Sequence, residues 1–351
     1  MMSFAFKQSS SFHYKALKPF NRVCIWDSTG WHLNKKLKKT IPGDGRKGAD
    51  AGCKLQYCYD IKSSSMIHFS ITNGITPDQR YSQENISKEV EEKDLIIFDL
   101  GYYALNTFKN ISDCGGYFLS RIEPQTTIFI EENSEFKRID LIKWLKKQTR
   151  NETVEINVYL GKQKVPCRII ACPLPKDETN KRLRKLKKRA ESKGKNVSPQ
   201  RKFLAAWNIF ITNATEKHIP TEKVYSFYRL RWSIELLFKQ FKSILNINHW
   251  NHANHNRLFC EIYGSLIISV LVAITHNKLQ VVTWKKDNTE ISIEKLYKFF
   301  ANQAALLFEL IIRRKAVSSF FDRFIESACR FSIRLKQRSR TSSIQNINFL
   351  A

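Results

Sequence analysis

Apolar and polar residues alternate in two distinct ways along the chain. Up to about residue 122, short continuous apolar runs dominate. "RVCIWD" ends at Asp27 and "DLIIFD" at Asp99, and each reads as a buried strand. Between them, "CKLQYCYD" and "MIHFSIT" read as strands and "PDQRYSQENISKEVEEK" as a helix, and "GGYFLSRI" follows as a further strand. Strands, then a helix, then a strand imply a mixed α/β sheet. Side chains at the carboxyl ends of such strands line a crevice where ligands bind, so Asp27 and Asp99 are candidate partners in one metal site.

From about Glu123 to Ala206 the texture changes. "TTIFIEEN", "TVEINVYLG" and "VPCRIIACPL" alternate as antiparallel strands do. The next segment, Lys181 to Lys202, carries eleven Lys or Arg, with Leu183, Leu186 and Ala190 at helical spacing. It predicts a basic helix with an exit at Gly194 and Pro199. "WNIFITN" returns to strand, and "PTEKVYSFYRLRWSIELLFKQFKSIL" is a long amphipathic run with Thr221 as N-cap candidate. The remainder, from Asn256 on, reads as mostly helical and ends in the basic "RLKQRSRTSS". The longest apolar run, Ile262 to Thr275, is shorter than the ~20 residues of a membrane span and predicts a buried core helix.

Charge narrows the partners. Lys plus Arg number 59 against 32 Asp plus Glu, a net +27, which points to a polyanion: nucleic acid first, an anionic membrane surface second. The 351 residues suit one large domain with insertions or two domains, and 24 Phe with 7 Trp argue for a real core. Eight scattered cysteines form no C-x-x-C, so a zinc ribbon is excluded and reduced thiols are expected. No continuous apolar segment marks a signal peptide. The expected location is the cytoplasm, beside the nucleoid. "GDGRKG" lacks the Lys-Ser/Thr of a phosphate loop and is read as a flexible loop. His249, His252 and His255 recur at three-residue spacing without paired Cys or carboxylate, a poor metal set. Asp60 also ends a strand and is the rival to Asp27.

One acid, Glu235, lies inside "FYRLRWSIELLFKQFK". With Tyr228 at zero, Arg231 falls near −60°, Glu235 near about −20° and Lys242 near about −40° around a helix. The four share a stripe that faces out, while Leu230, Ile234, Leu237, Phe241 and Ile244 form the opposite, packed side. Such a stripe can hold a cation at Glu235 and phosphates on its neighbours. It can equally be an exposed face with an Arg231–Glu235 i,i+4 ion pair, worth a few tenths of a kcal/mol.

The spacing Tyr228-x2-Arg231-x3-Glu235-x6-Lys242 resembles the Y-R-E-K signature of the insertion sequence 4 family of DDE transposases. "IWDSTG" is similar to that family's first-aspartate motif, "FDLGYYAL", with Asp99, Gly101 and Tyr102, to its second, and "YFLSR", with Tyr117 and Arg121, to the motif closing that block. The resemblance runs from Arg22 to the C-terminus. It implies a ribonuclease H-like mixed sheet with a β-rich insertion and a helical C-terminal region. The implied division is an N-terminal tail at 1–21, the core at 22–122 and 207–280, the insertion with its basic helix at 123–206, and the helical region at 281–351. Asp99 and Glu235 are 136 positions apart (235 − 99), which leaves room for the insertion.

The resemblance further implies a metal triad of Asp27, Asp99 and Glu235. Hard cations prefer carboxylate oxygen, and three carboxylates without a His cluster suit two Mg²⁺ (or Mn²⁺) rather than Zn²⁺. The implied activity is cut-and-paste DNA transposition. Water cleaves a strand at the transposon end, and the freed 3′-OH attacks again, often through a hairpin, before joining target DNA. Tyr228, Arg231, Lys242 and Arg121 would grip phosphates. Lys185 and Lys188 of the basic helix would add contacts, as expected of so basic a run. Trp207, twenty-one residues before Tyr228 (228 − 207), has the spacing of a base-stacking Trp, although a core role suits it equally. The expected partners are transposon ends and target DNA, with a homodimer in the complex and no membrane. Relatives carry a longer helical region before the first acid than the 26 residues found here. This leaves open a truncated remnant that binds DNA without productive cleavage, and another ribonuclease H-like nuclease.

Overall fold

The computed structural model describes residues 15–45, 50–149, 151–249, 252–287, 289–305 and 326–333. β1 (Val23–His32) runs antiparallel to β2 (Gly52–Asp60), which pairs with β3 (Ser65–Asn73). On the other side of β1 lie β4 (Leu95–Phe98) and β5 (Tyr117–Arg121), both parallel to it. Parallel neighbours need crossovers, supplied here by α1 (Asp78–Glu89) and α2 (Leu105–Asp113). The order β3-β2-β1-β4-β5 with these directions is the ribonuclease H-like arrangement expected above.

The sheet does not stop there. β10 (Trp207–Thr212) adds antiparallel to β5. Beyond it come β9 (Val165–Pro173), β8 (Val154–Leu160), β6 (Ile128–Glu132) and β7 (Glu135–Ile139), making ten strands in one sheet. Strands from the 123–206 segment therefore extend the core sheet. β7 and the short α3 (Leu141–Lys146) were not expected, because Glu135–Ile139 is exposed and charged. The β6–β7 hairpin turns at Asn133 and Ser134, both at positive φ, as a tight turn with strand-matching twist requires.

Strand alternation divides the core in two. Val23, Ile25, Leu95, Ile97, Leu119 and Phe210 pack on one face. Cys24, Trp26, Ile96, Phe98, Phe118 and Ile211 pack on the other, against α1 and α2, where Phe98, Phe108 and Phe118 stack at 5.5 and 4.7 Å. The period of two then places Asp27 and Asp99 on the face of Ile25 and Ile97.

The basic run forms α4 (Lys176–Glu191), beginning before Lys181, and α5 (Pro199–Leu204). α4 is followed at Gly194 by φ +61°, a conformation suited to glycine at a helix exit. The predicted long amphipathic helix is two helices, α6 (Val224–Arg229) and α7 (Trp232–Ser243). Leu230 and Arg231 donate to carbonyls three residues back, at 3.1 Å each, so the chain tightens between them. Thr221 is not an N-cap: it lies in a 3₁₀ turn, and its hydroxyl donates to Glu155.

α8 (His255–Asp287) and α9 (Ile293–Asn302) cover the first face. The expected buried core helix is longer than its apolar run and only partly buried, with Leu258, Ile262, Leu266, Val272 and Leu279 in the core. Residues His255–Val281 are long and apolar enough to cross a bilayer, and only 39% of the apolar window is buried. Tyr263, Ile267, Ile268 and Leu271 are exposed. The uninterrupted apolar run undercounted a helix that continues on both sides, so length and composition do not exclude a span. Residues 46–49 of the "GDGRKG" loop region and the basic "RLKQRSRTSS" lie outside the described residues.

Candidate active site and nucleic-acid interface

Parallel pairing of Trp26 with Phe98 leaves Asp27 and Asp99 side by side on neighbouring strands, about 5 Å apart along the hydrogen-bonding direction. Asp27 accepts the Ser28 N–H at 2.8 Å. Asp99 caps a 3₁₀ turn, accepting the Gly101 N–H at 2.7 Å. A Cβ at Gly101 would lie 3.0 Å from that same carboxylate oxygen, so the turn leaves little room for a side chain there.

Above the two strands, α7 and the turn before it bring in Arg231 and Glu235. Arg231 Nη1 lies 3.2 Å from Asp27 Oδ2, and Nη2 donates to Glu235 Oε1. One guanidinium thus bridges two carboxylates 208 residues apart in sequence (235 − 27). Burial pushes the Asp27 carboxyl up to about 7, helped by the charges of Asp99 and Glu235 and opposed by the Ser28 N–H and Arg231. Asp27 and Asp99 therefore lie side by side, and one guanidinium ties Asp27 to Glu235.

Oxygen-only donors of this kind suit a hard divalent cation, and the Asp27 carboxyl is raised first by burial and then by its acidic neighbours. As placed, the carboxylates leave Arg231 between Asp27 and Glu235, and among the described residues no three His, Cys, Asp or Glu close on one point. The donor chemistry fits a divalent ion; the present spacing fits the guanidinium.

The remaining predicted residues separate. Tyr228 is buried, 4.9 Å from the Phe210 ring and flanked by Arg121 and Arg231 at 6.0 and 5.9 Å, so it does not lie on an outward stripe. Arg121 ends β5 on the same face, and its Nε, like that of Arg231, is buried with no partner among the described residues. Lys242 donates to the Gly30 carbonyl at 3.2 Å and borders a 450 Å³ cleft with Trp31, His32, Lys54 and Gly74. Burial lowers its pKa. Lys185 and Lys188 are exposed on α4. Of the two roles left open for Trp207, its place agrees with the core one: it is 2% exposed, on the face away from α7.

The rivals fall to structural roles. Asp60 is buried and accepts the backbone N–H groups of Val23, Lys62 and Ser63. His252 pairs with Glu261 at 2.8 Å. The described cysteines are all free. Two features escaped the sequence reading. Gln56 accepts from the Tyr102 hydroxyl and donates to Asp78 at 3.0 Å, a buried support behind Asp27. Arg182 of α4 reaches the start of β10, donating to the Trp207 carbonyl at 2.8 Å and to Asn208 Oδ1 at 2.7 Å. Its place one turn before Leu186, on the half-buried side of the helix, was the available signal.

Comparison with known proteins bears on this site. The family described as Transposase DDE domain matches residues 18–271. The transposase of insertion sequence element IS231B from Bacillus thuringiensis subsp. berliner is 30% identical over 321 residues, covering 87% of this chain and 67% of that one. The IS1151 transposase of Clostridium perfringens is 30% identical over 328 residues, covering 87% and 69%. A solved piggyBac transposase synaptic complex with hairpin DNA is similar at 10% identity and a TM-score of 0.46, over 93% of this chain and 61% of that one. The chain spans about two thirds of the length of these curated transposases. Members of the DDE group use divalent metal, which agrees with the donor set. The matched segment spans the positions of Asp27, Asp99 and Glu235, and the chain belongs to the DDE transposase domain family.

Proposed function

We propose that this chain catalyses cut-and-paste DNA transposition, with Asp27, Asp99 and Glu235 as its metal triad and the Y-R-E-K residues around them. The observation that supports the reading is the meeting of Asp27 and Glu235 at the Arg231 guanidinium, with Asp99 beside Asp27 on the neighbouring strand. Two Mg²⁺ or Mn²⁺ ions held there would supply activation of the attacking oxygen and stabilisation of the leaving one.

The chain's own residues do the rest. Arg231 neutralises Asp27 and Glu235 and, once a cation takes its place at the carboxylates, would offer a forked donor to a phosphate. Arg121 stands beside Tyr228 with a buried Nε still to be satisfied. Lys242, a point charge at the cleft, grips a second phosphate. Lys185 and Lys188 extend the positive surface along α4, away from the acids. Cleaving two ends together calls for a homodimer on DNA, working on the nucleoid.

The test is the purified full chain with Mg²⁺ and a plasmid carrying the element's ends. Strand cleavage at those ends, abolished in Glu235→Gln, is expected. Binding without cleavage, or cutting that ignores the ends and survives Glu235→Gln, would sink the proposal.

A further inference from the structure

The arginines beside the acids are paired in a way that the known motif does not require. In the β5–β10 ladder Arg121 lies opposite Phe210, so both side chains share a face. Asn208 is two residues from Phe210 and shares that face too. Arg182, reaching across from α4, fastens both Nη groups to β10 through the Trp207 carbonyl and Asn208 Oδ1. The backbone of Arg121 and that of Asn208, which holds the Arg182 guanidinium, are therefore one strand spacing and two residues of rise apart, roughly 8 Å. The proximity of the two charges shows in the titration: burial lowers the Arg182 pKa and the Arg121 charge lowers it further.

Neither arginine has an ion pair among the described residues, and the acid nearest in sequence to Arg182, Glu178, is held by Lys181 at 2.8 Å. Glu178 and Tyr225 offset part of the cost at Arg182, but burial and the Arg121 charge outweigh them, and two half-buried like charges are relieved when an anion joins them. Arg182 is held by neutral acceptors and Arg121 keeps an unpartnered Nε, so donors are available on both sides. On α4, Lys185 and Arg189 share the face of Arg182, about 4.5 and 10.5 Å further along the axis. A line of cations thus leads from the acids, over β5 and β10, onto α4.

We infer that Arg121 and Arg182 together form a seat for one DNA backbone phosphate, and that this seat joins the catalytic groove to the basic face of α4. The inference rests on the transposase reading for its ligand, and Arg182 is the new member. The seat fixes the path of the strand, so Arg182 is a positioning residue.

A short fluorescent duplex, titrated with the full chain over a range of salt, tests it. Arg182→Gln keeps an amide to donate to the Trp207 carbonyl and loses the charge. It should weaken binding about tenfold or more at low salt and reduce the slope of log K against log salt by up to about 0.9. Arg182→Lys should keep most of the slope. Arg121→Gln, which leaves the β10 bonds of Arg182 intact, should cost a similar factor, and the double variant little more than either single one. Wild-type slope in Arg182→Gln, or fully additive losses, overturns the shared seat. If Arg182→Gln does not fold, Arg121→Gln with a wild-type slope overturns it alone. Cleavage by the wild type is scored separately: binding that behaves as described without cleavage leaves the seat standing and removes the active-transposase reading.

Discussion

Arg231→Gln should destabilise the protein when no divalent cation is added and should sharpen its response to Mg²⁺. Arg231 is the one cation shared by Asp27, at 3.2 Å, and Glu235. The side chains of Arg231 and Asp27 are 11% and 17% exposed, but that of Glu235 is 44% exposed. Removing one partner of a buried pair costs roughly 3–5 kcal/mol. Solvent at Glu235 and the amide that Gln retains reduce this to about 1–3 kcal/mol. Unfolding entropy of about 2.1 cal/mol/K per residue gives roughly 0.7 kcal/mol/K for 351 residues, so Tm should fall by about 1–4 °C. In the wild type an arriving ion must displace the guanidinium; in the variant it meets unpaired carboxylates. Mg²⁺ at ten times its Kd stabilises by about 1.4 kcal/mol, or about 2 °C, and the variant should reach that shift at lower Mg²⁺. Thermal melts over a Mg²⁺ series at neutral pH measure both effects. A variant as stable as the wild type without Mg²⁺, or one needing more Mg²⁺ for the same shift, refutes Arg231 as the counter-cation of the cluster.

Two further outcomes follow from the same geometry. Asp27 sits at about 7 against an ordinary 3.8, so between these values the folded protein holds a proton that the unfolded chain releases, and stability should fall as pH rises from about 4 to about 7. Melts without divalent cations should show that slope, and Asp27→Asn should flatten it. Trp207→Ala removes a large side chain that is 2% exposed and should cost about 3–5 kcal/mol in urea unfolding. Loss of DNA affinity at wild-type stability would instead restore Trp207 as a stacking platform.

How much of this was legible depends on what each signal measures. β4 is buried along its whole length, and "LIIF" announces it, because a strand covered on both faces must be apolar throughout. β7 was invisible because an exposed edge strand can carry Glu135, Lys137 and Arg138. The helical stripe brought Arg231 and Glu235 together correctly, but its outward direction failed at Tyr228. The arithmetic assumed 100° throughout, whereas the chain tightens at Leu230 and Arg231. Trp207 could have been placed by the strand period. Trp207, Ile209 and Ile211 share the far face, while Asn208 and Phe210 turn toward Tyr228. The Arg121–Arg182 pairing could not, because it depends on which strand becomes the neighbour of β5.

That neighbour is the consequential feature of the fold. β10 pairs with β5 on one side and β9 on the other, so the strands from 123–206 are stitched into the sheet that carries the acids. The arrangement sorts charge across the sheet: acids on β1 and β4, Arg121 on β5, Arg182 held on β10, and lysines outward along α4. The acids on one pair of strands thus stand next to Arg121 and Arg182 at the neighbouring pair, two arginines held without an ion pair among the described residues. Among the described residues, Arg231 is the cation that pairs with these acids. On the proposed function, a cation would take the carboxylates while a phosphodiester took the arginines, which would satisfy both sets at once. Folding of the 123–206 segment is therefore a condition for the groove itself, because without β9 beside it β10 would be an edge and Arg182 would have no fixed place from which to meet the strand.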